Sequence, residues 1–540
     1  MTDQLQTTAT TEIPDPADEH RPSPAPHTVD PTLPGRLAHR VRAGAQAQTF
    51  DCLTPFTGGV IAKLPVSTIT DVERAYDAAR AAQTGWAARS VADRARVLLR
   101  YHDLILRHRD ELLDLIQLES GKARKHAFEE VLDVAGVCRH YARKAEGYLR
   151  PQKHLGAIPV LTQSTELHQP RGVIGVVGPW NYPLSMSITD ALPALIAGNA
   201  VVLRPDEKAS LTALRAVELL DQAGLPQDVL QVVLGPGQTV GEAVLDRADY
   251  VMYTGSTATG RKVAQRAAAR LVGASLELGG KNALYVAEDA NLKNAAESAV
   301  RSCFSSAGQL CISIERLILH ERIADDFLEH FLTRVRKMTL GAELSWGVDM
   351  GSLISPAQLE RVTQHVEDAR AKGATVLAGG HPRPELGPYF YEPTVLEGVT
   401  SGMDCRMGET FGPVVSVYRV SGDEEAIALA NDTNYGLNGS VWTKDTRRGR
   451  RIAERIRCGT VNVNEGYIAA WGSNGSPMGG MGESGLGRRH GAEGILKYTE
   501  TQNISVQRGT PFKIPPGVPE KVWARSMATG MRMMKGIRLP

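Results

Sequence analysis

The sequence predicts an α/β fold organised on a parallel, doubly wound sheet. Two observations carry that expectation. Short continuous apolar runs, GVIGVVGPWNYP, AVVLRP, LQVVLG and YVMYTGS, recur between residues 172 and 256. The segments between or after them, LSMSITDALPALIAGN, SLTALRAVELLDQAGL and TATGRKVAQRAAARL, have helical spacing. Buried strands alternating with helices form parallel sheets covered on both faces, and ligands of such sheets lie beyond the carboxyl ends of the strands. A second alternation after residue 281, with NALYVAED, ERLILHER, GATVLAGG, GPVVSVYRV, GSVWTKD and GTVNVNEG as strands, predicts a second α/β domain.

A chain of 540 residues is more than one ordinary core organises, so two or three domains are expected. The formal charge of +1 gives no electrostatic case for nucleic acid or an anionic membrane surface, and the expected partner is a small molecule. No apolar run approaches the roughly 18 residues needed to cross a bilayer, so no stable membrane anchor is expected. Six cysteines, at 52, 138, 303, 311, 405 and 458, contain no CxxC pair for zinc and are too sparse for a disulfide framework. No metal site is expected, and the usage fits a cytoplasmic protein.

Residues 1–35 hold seven Pro, six carboxylates, no aromatic residue and only Arg21 as a strong base, a composition that predicts a disordered leader. They lack the basic start and apolar stretch of a signal peptide. Residues 70–150 carry apolar residues at three- and four-residue spacing, with helix starts expected near Asp71 and Ser90. The Leu and Tyr stripes there read as core. Residues 151–170 mix polar and apolar residues without helical period, as in an extended hairpin. From Pro511 the chain is Pro-rich and then basic, with Met527, Met531, Met533 and Met534, and reads as a packed or frayed terminus with a membrane-surface or partner helix as the alternative.

Four clusters point to chemistry: PWNYP around Asn181, YTGSTATG around Gly255, LELGGKN around Glu277 and SSAGQLCIS around Cys311. GSTATG lacks the central Gly of a dinucleotide fingerprint. It stands where a strand hands over to a helix, and backbone N–H groups at such a place meet phosphate. Cys311 lies in a small-residue loop, where a thiolate could reach a substrate, or where a small side chain simply packs. Cys303, inside the preceding helical run, reads as packing. Glu277 ends an apolar run, so it caps, pairs with Lys281 or acts as a desolvated general base.

Together with GNAVVL, ETFGPV and GSPMGGMGESGLGRRHG, these clusters resemble the NAD(P)-dependent aldehyde dehydrogenase superfamily over nearly all of residues 36–510. The phrasing GQLCISIER and the long leader and tail are most similar to bacterial succinate-semialdehyde dehydrogenases. The resemblance implies a Rossmann-type cofactor domain (36–148 and 171–280), an α/β catalytic domain (281–490), a small oligomerisation arm (149–170 and 491–510) and a basic tail (511–540). It implies homodimers or homotetramers. It also implies roles: Cys311 as nucleophile, Asn181 with the Cys311 backbone N–H as oxyanion donors, and Glu277 as the base that hydrolyses a thioester. On the cofactor side it places Gly255 and Ser256 on the pyrophosphate, Trp180 beside the nicotinamide pocket, and Glu409 with Phe411 around the nicotinamide ribose and ring.

Two positions depart from the family pattern. Arg204 stands where Lys is usual at the adenosine ribose and suits a 2′-phosphate, whereas Glu207 would accept from ribose hydroxyls and repel one. The cofactor is therefore NAD or NADP, with a lean to NAD. Succinate-semialdehyde dehydrogenases tend to carry Arg at the positions of Thr189 and Ser305, where it would clamp the far carboxylate. Their replacement leaves succinate semialdehyde as the leading substrate against less polar aliphatic or aromatic aldehydes, with a cation from NEGYIAAWG or GRRHG as the substitute clamp. A non-catalytic protein on this fold would be expected to lose Cys311, Glu277 or Asn181. A reductase of activated acids would not need Glu277.

Overall fold

The computed structural model describes residues 27–157, 161–508 and 513–536. Its first sheet has six strands in the order Gly485–Leu486, Gly273–Glu277, Tyr250–Thr254, Val173–Val177, Ala200–Arg204 and Leu230–Val232. All neighbours are parallel except the antiparallel outermost pair, Gly485–Leu486 with Gly273–Glu277. Every residue of Val173–Val177, Ala200–Arg204 and Leu230–Val232 is buried, as a sheet covered by helices on both faces requires. Chain order runs outward in both directions from the boundary between Val173–Val177 and Tyr250–Thr254. That boundary is the topological switch point, and the turns leaving it are 178–181 and 255–256.

Four long helices, Ile69–Ala87, Val91–Arg107, Arg109–Ser120 and Arg124–Leu149, occupy the stretch with helical spacing. The first starts at Thr68, not at Asp71. Thr68 is the cap and Asp71 its reciprocal partner three residues on, a capping box. Ser90 caps the second, accepting from the Asp93 N–H at 3.1 Å. Their apolar stripes, including Leu98, Tyr101, Ile105, Leu112 and Tyr141, are buried in the core under the first sheet.

The second sheet has seven strands in the order Thr375–Ala378, Thr394–Glu397, Val414–Val420, Ile314–His320, Asn282–Val286, Asn438–Trp442 and Thr460–Val463. Only the first pair is antiparallel. The strand Thr394–Glu397 and the hairpin of Thr49–Leu53 with Val60–Pro65 were not anticipated from sequence. A third, three-stranded antiparallel sheet joins Gln152–Leu155, Thr162–Pro170 and Thr499–Gln507.

Several sequence-based boundaries differ from the structure. Gly485–Leu486, placed in the 281–490 segment, hydrogen-bonds into the first sheet beside Glu277. Gly491–Leu496, assigned with the arm, forms a helix whose Ile495 packs into the first core. Of the 1–35 leader, residues 1–26 lie outside the described residues, whereas Leu33 opens a helix, Leu33–Ala38, and is buried with Leu37. Two apolar side chains one turn apart repay the ordering of this short segment. The tail contains a helix, Glu520–Gly536, and residues 509–512 and 537–540 of that region lie outside the described residues.

Candidate active site

The loops leaving the first sheet and those entering the second converge on one cavity of about 270 Å³. From the first come Trp180 and Asn181 after Val173–Val177, Gly255 and Ser256 after Tyr250–Thr254, and Glu277 at the end of its strand. From the second come Cys311, just before Ile314–His320, and Glu409 with Phe411, just before Val414–Val420. Eight of the ten residues singled out from sequence therefore line a single space. Arg204 and Glu207 do not line it.

Cys311 is presented by a strained turn. Ser306, Ala307 and Gly308 have φ of 53°, 54° and 70°, three consecutive left-handed residues. A Cβ at Gly308 would run into the Gly412 carbonyl, so only glycine closes this turn. The thiol is partly exposed to the cavity, and its pKa is pushed up to about 12 by burial first and by the nearby Glu277 and Glu409 second. Cys303 is fully buried in the helix Leu292–Phe304 and takes no part in the cavity.

Glu277 is 5% exposed, and one carboxyl oxygen, Oε1, has no hydrogen-bond partner among the described residues. Burial pushes its pKa up to about 7 against the opposing pull of Arg489 and Lys497. Lys281, proposed from sequence as its partner, is instead paired with Glu315. Glu277 is thus desolvated and is not neutralised by Lys281.

Asn181 donates from Nδ2 to the Gln309 carbonyl at 2.9 Å, and a side-chain amide has a second N–H for another acceptor. Its backbone carbonyl accepts from Lys122 Nζ at 2.6 Å. The same ammonium pairs with Glu130 at 2.6 Å, and Glu130 accepts the N–H groups of Leu184 and Ser185 at 2.9 and 3.0 Å. One buried ion pair thus holds both Asn181 and the start of helix Pro183–Ile188. Removing one partner of such a pair costs about 3–5 kcal/mol.

The cofactor-side residues are held as firmly. Glu409 accepts from the Gly280 N–H at 2.7 Å, and its pKa rises to about 7 through burial and the neighbouring Glu315. A side chain at Gly279 would collide with the Glu409 carboxylate, so glycine makes the room. Phe411 has φ 54° and is fixed by Glu315, which accepts the N–H groups of Thr410 and Phe411 at 3.0 and 2.9 Å. Its ring meets Trp180 edge-to-face, centroids 5.6 Å apart. Ser256 caps helix Thr257–Ala269 and is exposed, so the helix N-terminus is open to an anion. Arg204 lies apart from these, buried, donating from Nε and Nη2 to the Gly235 carbonyl at 3.1 and 2.8 Å, with Glu207 at 3.9 Å.

Sequence reasoning named neither Glu315, Lys122 nor Glu130 as supports. Their only signal was an ionisable residue beside apolar ones. Arg489 was anticipated only as part of GRRHG. It lines the cavity, donates to Thr189 Oγ1 at 2.6 Å and pairs with Asp190 at 2.9 Å. At the other departing position, Ser305 is buried and accepts from the Tyr467 hydroxyl at 2.9 Å. Tyr182, Met186, Leu310, Ile312, Trp471 and Met478 form an apolar part of the remaining wall, which also includes Thr254, Gln358 and Arg361. A wider cleft of about 900 Å³ adjoins Ser305, but Cys311, Glu277 and Asn181 are absent from its lining.

The chain is 50% identical over 519 residues to a Mycobacterium tuberculosis protein named "Putative succinate-semialdehyde dehydrogenase (NADP+) 2", covering 96% of this chain and 99% of that one. It is 38% identical over 463 residues to a pea protein named "Aminoaldehyde dehydrogenase 2, peroxisomal", covering 84% and 91%. Among solved structures, an aldehyde dehydrogenase from Brucella melitensis superposes with a TM-score of 0.83 at 33% identity, over 89% of this chain and 99% of that one. Betaine aldehyde dehydrogenase from Staphylococcus aureus, solved with NAD+, superposes with a TM-score of 0.83 at 30% identity, over 90% and 100%. Residues 42–504 match the model of the aldehyde dehydrogenase family, and with a thiol, a buried carboxylate and an amide gathered in one cavity, this chain belongs to that family of NAD(P)-dependent oxidoreductases.

Proposed function

We propose that the chain oxidises succinate semialdehyde to succinate through a thioester on Cys311. The observation that carries this reading is the meeting of Cys311, Glu277, Asn181 and Arg489 in one cavity. The Cys311 thiol gives up its proton to solvent, and its sulfur attacks the aldehyde carbon. The Asn181 amide and the Cys311 backbone N–H stabilise the oxyanion. Bound NAD(P)+ supplies the hydride acceptor. The Glu277 carboxylate then activates the water that releases the acid and restores the thiol. Arg489 supplies the positive charge that Thr189 and Ser305 lack, and receives the far carboxylate of the substrate.

The residues fit a dinucleotide: Ser256 at a helix N-terminus for the pyrophosphate, and Glu409, Phe411 and Trp180 for the nicotinamide end. The earlier lean to NAD has no support from the relatives, since the mycobacterial one is named for NADP+. Choice between the two rests on Arg204 and Glu207. We also propose that the three-stranded sheet is the oligomerisation arm, because its Leu155, Ile504 and Val506 are exposed, that the rest of the chain up to Glu277 forms the cofactor domain together with Gly485–Leu486 and Gly491–Leu496, and that the segment from Lys281 to Ser484 forms the catalytic domain. A cytoplasmic dimer or tetramer fits this reading. No helix among the described residues is long and apolar enough to cross a membrane.

A second reading, oxidation of less polar aldehydes, is favoured by the aromatic and Met-lined wall and by Asp190, which already neutralises Arg489. A panel of succinate semialdehyde, butanal and benzaldehyde, each with NAD+ and NADP+, separates them. A higher kcat/KM for succinate semialdehyde supports the first reading, and a higher value for either uncharged aldehyde overturns it.

A further inference from the structure

Most of the surface of the helix Glu520–Gly536 is exposed. Apart from Trp523 and Met534, which are half-buried, every side chain described in it is exposed. It follows a linker that contains Pro511, Pro515, Pro516, Gly517 and Pro519. At 100° per residue, its four cations, Lys521, Arg525, Arg532 and Lys535, fall within an arc of about 80°. Val522, Trp523, Met527, Met531, Met533 and Met534 lie on the opposite half. Four of them are conspicuously exposed: Val522 by 51%, Met527 by 38%, Met531 by 62% and Met533 by 64%. Neither feature is explained by the active site.

Charge distinguishes this segment further. From Pro511 onward there are six Lys or Arg and one Glu, a net of +5, while the chain as a whole is +1. The remainder of the protein is therefore net negative. A helix that served only to pack on its own chain would bury its apolar half, and this one does not.

We infer that the helix Glu520–Gly536 binds reversibly to the surface of an anionic lipid bilayer, with its Met-rich half in the headgroup–acyl boundary and its cations at the phosphates. A basic face beside an apolar face is the pattern of interfacial helices, and each surface cation near an anionic leaflet contributes about fivefold to partitioning. At 17 residues and about 25 Å the helix is too short and too charged to span the bilayer. Long Lys and Arg stems can extend the charged heads from a helix lying in the plane to the phosphates.

The test is flotation of the full-length protein with vesicles of phosphatidylglycerol and phosphatidylcholine in equal parts, against vesicles of phosphatidylcholine alone. The bound fraction should be at least about tenfold higher on the anionic vesicles and should fall in 0.5 M NaCl. Met527→Glu with Met531→Glu, and separately Lys521→Glu with Arg525→Glu, should each lower binding about tenfold or more. Aldehyde oxidation in solution should be unchanged in both, since the helix does not line the catalytic cavity. Equal binding to both vesicle types, or none, overturns the inference. So does a change of oligomer size in the Met527→Glu, Met531→Glu protein by sedimentation velocity with vesicle binding intact, which would assign the face to a second copy of the chain.

Discussion

The Arg489 guanidinium donates from Nη2 to the Thr189 hydroxyl at 2.6 Å, beside the cavity that holds Cys311. Thr189 occupies a position where a carboxylate-binding arginine was expected. A guanidinium reaches the same place from a segment 300 residues later in the chain. Its pKa is held above the ordinary arginine value, with Asp190, Glu277 and Asp133 outweighing the opposing effect of burial. It is thus a permanent positive charge in the cavity wall.

Arg489→Met should therefore lower kcat/KM for succinate semialdehyde by about 30-fold to several thousand-fold relative to butanal, the range for truncating one side of a buried ionic contact. The ratio of the two substrates is the readout, because loss of the pair with Asp190 affects both. Arg489→Lys should recover part of the ratio. If Arg489→Met changes both substrates equally, the guanidinium serves Asp190 and Glu277 rather than the substrate.

Cys311→Ala should abolish aldehyde oxidation while leaving cofactor binding intact, since the thiol is needed only for acyl transfer. Cys303→Ala should retain most activity, because Cys303 is buried in its helix and outside the cavity. Cofactor binding is followed by quenching of protein fluorescence. Residual turnover above about 1% of wild type in Cys311→Ala would remove the thiol from the mechanism.

Glu277 acts as a base in its carboxylate form, and its pKa lies near 7. Steady-state turnover limited by thioester hydrolysis should rise with pH through about 7 and level off above it. Glu277→Gln should keep the initial burst of reduced cofactor and slow the later turnover by about 10²- to 10⁴-fold. An unchanged steady state in stopped-flow traces would mean that another group activates the water.

The same pKa predicts a stability effect. A carboxyl whose folded-state value lies above its ordinary one favours the protonated folded state. Its contribution is greatest below about 4.5 and is lost as pH rises through about 7. Glu277→Gln should therefore be more stable than wild type at pH 8.5, by up to about 3 kcal/mol, with a smaller gain at pH 5. Urea unfolding at the two pH values measures it. A gain of equal size at both would place the effect in packing rather than ionisation.

Glu207→Ser should improve use of NADP+ by removing repulsion of a 2′-phosphate, and Arg204→Ala should weaken NADP+ more than NAD+. The two side chains lie 3.9 Å apart, and Glu207 is partly buried, which raises its pKa against the pull of Arg204. An unaltered ratio of kcat/KM for the two cofactors in both variants would locate the adenosine ribose elsewhere.

The sequence by itself determined the α/β alternation and the four long helices, and it singled out Cys311, Glu277 and Asn181, which the fold gathers in one cavity. The first two are local signals, apolar runs about five residues long and stripes at helical spacing, whereas the three site residues were picked out by the resemblance of their motifs to a family. The sequence did not show the strand Thr394–Glu397, which is four residues long and follows a proline, or the hairpin of Thr49–Leu53 with Val60–Pro65. Their stability comes from neighbours distant in the chain, such as the pairing of Thr394–Glu397 with Val414–Val420. The buried charges were decided only by tertiary structure. Lys122 reaches Asn181, Glu315 holds the backbone of Phe411, and Arg489 reaches Thr189. A charged residue carries no mark in sequence of the partner that allows it to be buried, because burial is tolerated only when the fold brings an opposite charge or a hydrogen-bond acceptor to it.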